Sequence, residues 1–487
     1  MPRKLVLTVI DGCKPSMLER AVATGRAPAL AAILERGAYV DDLVAAFPSV
    51  TPVCAASIAT GVGPDRHHIP SMNWYSREEG RYVEYGSSFG ASRRFGIARQ
   101  LTDTVYNMNG HHLSSDVRTV FELLDDAGLR TAGTTYLMYR GRHRHEVARD
   151  TVLARAAGAL FRHPVMGPRE LFYADVFASR RTPCRSQLGM PGIRDRHSGC
   201  VAEHLVREDL FDFLLLSLPD NDTYSHKHGP HAQVESIAEA DRQLVRMMEA
   251  GGGIDAFLDE HAMIVAADHS HTTVESVIPL HHAFDDYAVL LPSGENAEDA
   301  EIALCPAQRA AMVYALVEEG RGALVPRIVA TARAIDGVDL VMWRTSSGEA
   351  AIASRDRELR FAPGADVADR RGERWSVDGD LETLGARIED GRFVAPAYPD
   401  ALGRVWSALT TPTAGDVLLS AGPAYEFADW GGVAHVGGGS HGSLHAADSL
   451  GVLAWCGTEG DAPQARDARE EWSLRDLVPI VAAHFGV

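Results

Sequence analysis

Residues 4–12 read KLVLTVIDG, a short apolar run that stops abruptly at Asp11. Such a run, rich in β-branched residues and apolar at successive positions, is typical of a strand that is buried on both faces of a parallel sheet. The pattern recurs twice: residues 211–218 (FDFLLLSL) lead into a Pro-Asp-Asn-Asp turn, and residues 262–267 (AMIVAA) lead into an Asp-His pair. We therefore predict three buried strands, each followed at once by carboxylate or imidazole side chains.

Between these strands the apolar residues return every three or four positions, which predicts amphipathic helices. Residues 119–127 (TVFELLDDA) and 233–249 (QVESIAEADRQLVRMME) are the clearest cases, and the apolar runs at 416–420 and 450–455 predict further strands. Strand alternating with helix predicts an α/β fold with a doubly wound, mostly parallel central sheet flanked by helices. Ligands of such sheets gather beyond the carboxyl ends of the strands.

Residues 276–400 have a different pattern, in which short alternating segments lie among turns rich in Gly, Asp and Arg. We predict that they form a smaller, inserted, β-containing cap subdomain, and that residues 1–275 and 401–487 form the catalytic α/β core. The Arg- and His-rich stretch 138–200 predicts an irregular surface excursion.

The overall composition excludes several classes of protein. A net charge of −19 argues against binding of a nucleic-acid polymer, which needs clustered Lys and Arg. No apolar run reaches membrane-spanning length, and the first one meets Asp11 too early for a signal peptide, so we expect a cytoplasmic protein. The six cysteines lack CxxC spacing, which favours reduced thiols. The oligomeric state is not encoded in any recognisable pattern.

Four separate clusters contain the side chains that a divalent metal needs. They are Asp11, the pair Asp222 and His226, the pair Asp268 and His269, and His441. The spacing of Asp222 and His226 places both on one side of a helical turn. Carboxylate and imidazole ligands suit zinc, manganese or iron, and the histidine content favours zinc. Each cluster alone is also compatible with a solvated strand end or a helix cap.

The segment FPSVTPVCAASIATG, residues 47–61, predicts the start of a helix. Thr51 is expected to be the N-cap, with Pro52 at the first helical position. A phosphate at this point would face unpaired backbone N–H groups. A threonine hydroxyl becomes a nucleophile only when a base or a metal removes its proton, so Thr51 is a simple cap unless metal lies beside it.

Taken together, the motifs resemble the alkaline phosphatase superfamily, most closely its nucleotide pyrophosphatase and phosphodiesterase branch. The resemblance rests on five blocks that occur in the family's order: VIDG (9–12), TPVCAASIATG (51–61) with PDRHHI (64–69), DTYSHKHGP (222–230), AADHSH (266–271) and GGSHGS (438–443).

The resemblance implies a two-metal hydrolase of small phosphate esters. One ion would be held by Asp222, His226 and His441; the other ligands would be Asp11, Asp268, His269 and Thr51. Thr51 would attack phosphorus to form a phospho-threonine, which water then hydrolyses, and Asn73 matches the family's donor to the phosphoryl oxygen.

Alternatives stay open at the level of sequence. Phosphonates and phosphomonoesters are further substrates for such a site, with Arg66, Arg93 or Arg94 available to neutralise the extra charge of a monoester. Sulfatases carry a cysteine where Thr51 stands and an arginine where Ala55 stands, which disfavours that activity. The GxSxG pattern around Ser440 matches a serine hydrolase, but residues 431–439 are too rich in glycine to form the strand that this motif needs before its serine. An inactive metal-binding module is the non-enzymatic alternative.

Overall fold

The structure is a computed structural model and describes residues 2–147, 161–173, 176–185, 194–317, 319–459 and 465–487. Within these ranges no helix is both long enough and apolar enough to cross a membrane.

The strands, in chain order, are β1 (Lys4–Ile10), β2 (Ala38–Val44), β3 (Asn73–Ser76), β4 (Arg81–Glu84), β5 (Thr131–Thr134), β6 (His143–His145), β7 (Val165–Gly167), β8 (Glu170–Tyr173), β9 (Phe177–Ala178), β10 (Phe213–Leu218), β11 (His261–Ala266), β12 (Thr272–Ile278), β13 (Ile302–Ala307), β14 (Ala310–Ala315), β15 (Val338–Arg344), β16 (Ala350–Ala353), β17 (Glu358–Ala368), β18 (Arg374–Gly379), β19 (Arg387–Glu389), β20 (Arg392–Val394), β21 (Val417–Ala421), β22 (Ala424–Phe427), β23 (Gly439–Ser440) and β24 (Leu450–Cys456).

The α-helices of the described residues are α1 (Pro15–Ala23), α2 (Pro28–Arg36), α3 (Thr51–Thr60), α4 (Pro64–His67), α5 (Phe89–Phe95), α6 (Ile97–Thr102), α7 (Val120–Asp126), α8 (Arg194–Arg207), α9 (Asp220–His228), α10 (Val234–Ala250), α11 (Ile254–Glu260), α12 (Leu280–Ala283), α13 (Arg321–Arg333), α14 (Ala401–Thr410), α15 (Ala446–Ser449) and α16 (Leu477–Phe485). A π-helical segment, Asp103–His112, follows α6.

The described strands of the central sheet lie in the order β2-β24-β11-β1-β10-β5-β8-β9. The five in the middle, from β11 to β8, run parallel, whereas β24, β2 and β9 pair antiparallel at the edges. The three strands expected from the apolar runs are therefore neighbours, with β1 between β10 and β11. The predicted fold class, a mostly parallel sheet flanked by helices, is confirmed.

Both faces of β1 are buried because its side chains alternate between two apolar layers. Leu5, Leu7 and Val9 pack into one cluster with α3, α7 and α16. Val6 and Ile10 pack into the other, with α1, α2, α8 and α10. A strand covered on both faces has no polar position to offer solvent, which is why the run reads as continuously apolar.

A second sheet is built mainly from residues of the predicted cap. Its described strands lie in the order β13-β14-β21-β15-β16-β17-β20-β19, and β18 also pairs with β17. Strand β21 lies in the middle of this sheet although it follows the predicted boundary at residue 400. One apolar cluster contains both Leu7 of the central sheet and Met342 of the second sheet, so the two sheets share a core. The division into core and cap stays a prediction.

Two predictions from the sequence were wrong: the irregular structure of one stretch and the reduced state of all six cysteines. The stretch 138–200 is not simply irregular: β8 adds to the central sheet, and α8 begins at Arg194. Residues 148–160, 174–175 and 186–193 of that stretch lie outside the described residues. Cys184 and Cys200 form a disulfide, while the other four cysteines are free and buried. Neither cysteine belongs to a short spacing motif, so only their approach in the folded chain pairs them.

Candidate metal centre

The parallel order of β10, β1 and β11 brings the polar residues that follow them to one edge of the central sheet. Asp11 follows β1, Asp268 and His269 follow β11, and α9 begins at Asp220 directly after β10. Asn221 donates a hydrogen bond to the carbonyl of Asp11 over 2.8 Å, which ties α9 to the end of β1. The predicted convergence at the carboxyl ends of the strands is therefore present.

Gly12 allows this edge to close. Its φ of +63° lies in the left-handed region, and a Cβ added there would come within 2.6 Å of His271 Nε2. Its backbone N–H donates to Asp268 Oδ1 over 3.0 Å. A side chain at this position would strain the backbone. It would also clash with the imidazole of His271, which contacts Asp222.

The pair Asp222 and His226 lies on the first two turns of α9, as the spacing predicted. His226 Nε2 is 3.3 Å from Asp222 Oδ1. The same carboxylate oxygen lies 3.4 Å from His441 Nε2 and 3.0 Å from His271 Nε2. Three imidazoles therefore surround one carboxylate oxygen, and the chain supplies them from α9, from the segment after β11 and from the loop after β23.

Thr51 is the first residue of α3, and the cap position is Val50, so the N-cap expectation was wrong by one residue. Among the described residues, Thr51 makes no side-chain hydrogen bond within α3. Its Oγ1 lies instead 3.3 Å from His269 Nε2. His269 Nε2 is in turn 3.4 Å from Asp268 Oδ2 and 3.6 Å from Asp11 Oδ1. The hydroxyl thus faces the acidic edge of the sheet.

Three histidines share one orientation. Each donates from Nδ1 to a backbone carbonyl: His226 to Gly439 over 2.8 Å, His441 to Ser49 over 2.8 Å and His269 to Ser270 over 3.2 Å. This contact assigns the proton to Nδ1 and leaves the Nε2 lone pair directed at the carboxylates. A neutral imidazole held in this way is the usual form of a metal-binding histidine.

Two groups of side chains are close enough to hold ions. Asp222, His269, His271 and His441 offer ligand atoms within 4.8 Å of one another, as do Asp11, Asp268 and His269. The rings of His269 and His441 stack with centroids 3.6 Å apart, so the groups are adjacent. All seven predicted ligands meet here, and the fold adds His271, which the sequence analysis had not assigned as a ligand. Metal binding by these residues stays a prediction.

The donor set fits divalent cations, because it concentrates charge and leaves atoms unpaired. Asp11 Oδ1 and His441 Nε2 are buried and have no hydrogen-bond partner among the described residues. Burial, followed by the negative charges of Asp268 and Asp222, raises the pKa of Asp11 well above its ordinary value. Burial also raises the pKa of Asp268 to about 6 and lowers the pKa of His269 well below its ordinary value. A bound cation would satisfy both the carboxylates and the imidazoles.

Asn73 and the predicted arginines are less closely placed. Asn73 is buried at the start of β3, and its Nδ2 donates to the carbonyl of Val83 over 3.1 Å. Its Oδ1 has no partner among the described residues. Arg66, Arg93 and Arg94 are exposed on α4 and α5. The geometry does not join these four residues to the seven above.

The serine hydrolase alternative has no support in the geometry. Ser440 belongs to a strand of two residues, Gly439–Ser440, which pairs with β12 and leads into no helix. Its hydroxyl donates to Glu426 Oε1 over 2.7 Å. A nucleophile elbow needs a strand-turn-helix connection that exposes the serine.

The sequence did not predict two residues that lie near the site. Arg194, at the start of α8, donates from Nε to Asp220 Oδ1 over 2.9 Å and from Nη2 to the carbonyl of Pro219 over 3.1 Å. Burial lowers the pKa of Arg194, but the negative charges of Asp220, Asp222 and Asp11 outweigh burial, so the pKa is raised above its ordinary value. Gln308 lies in the turn between β13 and β14, and its Nε2 is 3.4 Å from His226 Nε2. No motif marks either residue, because each reaches the site only through tertiary contacts.

The sequence model of the type I phosphodiesterase and nucleotide pyrophosphatase family matches residues 5–444. The chain belongs to this family. Its members are metal-dependent phosphoric ester hydrolases, and the resemblance of the five motif blocks is therefore confirmed. No curated protein matches the sequence of this phosphodiesterase-family chain.

Solved structures resemble this phosphodiesterase-family chain over nearly its full length. Phosphonoacetate hydrolase from Sinorhizobium meliloti 1021, in complex with phosphonoformate, is 18% identical with a TM-score of 0.59, and the match covers 99% of this chain and 96% of that one. Murine ectonucleotide pyrophosphatase/phosphodiesterase 5 is 12% identical with a TM-score of 0.58, covering 100% and 95%. An inactive threonine-to-alanine variant of the murine protein was solved in complex with AMP, with a TM-score of 0.56 and 12% identity over 100% and 95%. At these identities the likeness shows the fold.

Proposed function

We propose that this chain is a phosphodiesterase of the nucleotide pyrophosphatase type that uses Thr51 as nucleophile. The observation that carries the proposal is the position of the Thr51 hydroxyl at the first residue of α3, 3.3 Å from an imidazole shared by both groups of ligand atoms. A helix N-terminus presents unpaired N–H groups to a phosphate. A helix-capping role would not require the contact between this hydroxyl and His269.

In the proposal, Asp222, His226 and His441 hold one divalent ion, and Asp11, Asp268, His269 and the Thr51 oxygen hold the other. Two such ions, most simply Zn²⁺ with Mn²⁺ or Fe as alternatives, would supply charge stabilisation for the attacking and leaving oxygens of an in-line displacement. His271 donates to Asp222 Oδ1 and orients that carboxylate. Asn73 uses one amide hydrogen on Val83, and we propose that the second donates to the phosphoryl oxygen.

The reaction would proceed in two displacements. The Thr51 oxygen attacks phosphorus, one alkoxide departs, and a covalent phospho-threonine that keeps the second ester group of the substrate remains. Water then attacks phosphorus and the bond to Thr51 Oγ1 breaks. Three carboxylates and one alkoxide balance two divalent cations, so the site is close to neutral and suits a singly charged diester.

The test is the pair of variants Thr51→Ala and Thr51→Ser, with an aryl phosphodiester as substrate. Loss of the hydroxyl should lower kcat by about 10³-fold or more, whereas Thr51→Ser keeps an attacking oxygen and most of the turnover. Mass spectrometry of the acid-quenched wild-type protein should find a phosphoryl group on Thr51. Full activity of Thr51→Ala with unchanged metal content would refute the nucleophile.

Phosphonate hydrolysis is a second candidate, because Arg194 puts a guanidinium beside the acids of the site. A cation there would pair with a carboxylate carried by the substrate. The fold is also shared with the phosphonoacetate hydrolase described above. Rates on an aryl phosphodiester, a phosphomonoester, phosphonoacetate and a sulfate ester, each with Zn²⁺ and with Mn²⁺, separate the candidates. A higher kcat/KM for phosphonoacetate would overturn the diesterase assignment.

A further inference from the structure

The second sheet contributes one residue to the metal centre, through the turn that joins β13 to β14. Arg309 N donates to the carbonyl of His441 over 3.0 Å, and Phe427 N donates to the carbonyl of Gln308 over 2.8 Å. Gly442, with φ +120°, lets the loop approach closely, since a Cβ there would lie 3.1 Å from Ala307 O and Arg309 N. The turn is thus held against the loop that carries His441.

The turn is anchored by an arginine that is completely buried. The Arg309 guanidinium donates to Asp448 Oδ1, to the carbonyl of Tyr425 over 3.0 Å and to the carbonyl of Gly422 over 2.7 Å. Asp448 also accepts from the backbone and hydroxyl of Ser443 over 2.8 and 2.7 Å. A buried guanidinium satisfied in this way fixes the backbone on both sides of it.

Gln308 combines an unfavourable backbone conformation with a buried oxygen that has no hydrogen-bond partner among the described residues. Its φ is +60°, a conformation that a non-glycine residue with a long side chain adopts rarely. The residue is 8% exposed, and its Oε1 is buried with no hydrogen-bond partner among the described residues. Backbone strain and an unpaired buried acceptor each destabilise the folded chain. Such costs persist chiefly at functional sites.

The chemistry of the unpaired atom restricts what it can bind. A carboxamide oxygen accepts hydrogen bonds or binds a cation and cannot donate, so any partner other than a metal ion must carry an O–H or N–H. The non-bridging oxygens of an ionised phosphodiester carry no proton. Water does, and Gln308 lies beside His226, at the group of ligands around Asp222.

We infer that Gln308 Oε1 accepts a hydrogen bond from the water that releases the phosphomonoester product from Thr51. The inference rests on the proposed function. In this step the water oxygen bonds to phosphorus and the bond between phosphorus and Thr51 Oγ1 breaks. One water proton passes to the Thr51 oxygen, and the other stays on the product. Gln308 orients the water and is not consumed.

The experiment compares the two displacements in Gln308→Gly and Gln308→Glu. Glycine removes the side chain and also the strain, because it adopts positive φ freely, while glutamate keeps an oxygen acceptor. A matched control is Gln243→Ala in α10, since Gln243 Oε1 is also buried without a partner but lies in a helix outside the metal centre. Stopped-flow release of the aryl alcohol reports the first displacement, and acid-quench mass spectrometry counts phosphorylated Thr51.

We expect Gln308→Gly to slow the second displacement by about 10- to 100-fold, as loss of one buried hydrogen bond predicts. Phosphorylated Thr51 should then accumulate, while the first displacement and the metal content stay unchanged. Gln308→Glu should accumulate less of it, and Gln243→Ala no more than the wild type. The metal-free Gln308→Gly protein should melt at the same temperature as the metal-free wild type or higher. The substitution removes both the unfavourable backbone conformation and the unpaired buried oxygen.

The failures are distinguishable. Wild-type protein that never carries phosphate on Thr51, or that hydrolyses no phosphodiester, refutes the proposed function. If the wild type reacts through Thr51 and Gln308→Gly accumulates no more intermediate than the wild type, only the role of Gln308 is refuted. Equal slowing of both displacements, or loss of metal from Gln308→Gly, would likewise overturn it and assign Gln308 to support of the ligands.

Discussion

At the scale of single residues, the site depends on the direction in which a few side-chain atoms point. Thr51 begins a helix but does not cap it, and His226, His269 and His441 use Nδ1 on backbone carbonyls so that Nε2 faces the carboxylates. The residue types were predictable from the sequence. The directions of the His226 and His441 side chains were not, because each is set by a carbonyl group that is distant in sequence.

Gly12 offers a residue-scale prediction with an internal control. Gly12→Ala should lower the free energy of unfolding by about 1–3 kcal/mol, because positive φ and a clash with His271 act together. Gly25 has a similar φ of +70° but an added Cβ there would meet nothing within 4 Å. Gly25→Ala should therefore cost only the backbone strain. Urea unfolding of the metal-free proteins measures both, and equal losses would show that the contact with His271 carries no cost.

At the scale of elements, three adjacent parallel strands and one hairpin position the chemistry. The strands β10, β1 and β11 end at a common edge because parallel pairing aligns their carboxyl ends. The β13–β14 hairpin reaches the same edge from the second sheet, held by the pair Arg309 and Asp448, whose side chains are both fully buried. The apolar runs predicted the strands, but the sequence of the hairpin did not predict that its turn contacts the metal centre.

The buried pair leads to a prediction at this scale. Arg309→Leu leaves the Asp448 carboxylate buried without its partner, which should lower the free energy of unfolding by about 3–5 kcal/mol. It should also weaken metal binding, because the turn holds the loop of His441. The control is Arg36→Leu, which breaks ion pairs with the exposed residues Asp255 and Asp259 and should change stability much less. Chemical denaturation and metal analysis of both variants give the comparison; similar losses would exclude a special role for the buried pair.

At the scale of the whole molecule, one continuous core joins the two sheets, and carboxylates and imidazoles concentrate beside the turn that the second sheet contributes to their junction. In the metal-free protein Asp11 Oδ1 and His441 Nε2 have no hydrogen-bond partner among the described residues, and the charges of Asp268 and Asp222 disfavour ionisation of Asp11. Metal bound only by the folded chain adds stability by mass action, about 2.7 kcal/mol when its concentration is 100 times the Kd.

We therefore expect Zn²⁺ or Mn²⁺ to raise Tm in a concentration-dependent way and a chelator to reverse the shift. Asp222→Asn, which loses a ligand of one group, should show a smaller shift than the wild type. Differential scanning fluorimetry with metal analysis measures both. A Tm that is indifferent to metal and chelator would contradict ion binding at this junction.

The sequence by itself determined the central strands, the helices around them and the residue types of the site, because strand and helix periodicities and short motifs are local properties of the chain. It also placed the chain in its family, since the five blocks keep their order. The tertiary structure alone decided that β21 enters the second sheet, that Cys184 meets Cys200, that His271 joins Asp222, and that Gln308 approaches His226 across 82 positions of sequence. Contacts between distant segments depend on how whole sheets pack, and packing leaves no periodic trace in either segment.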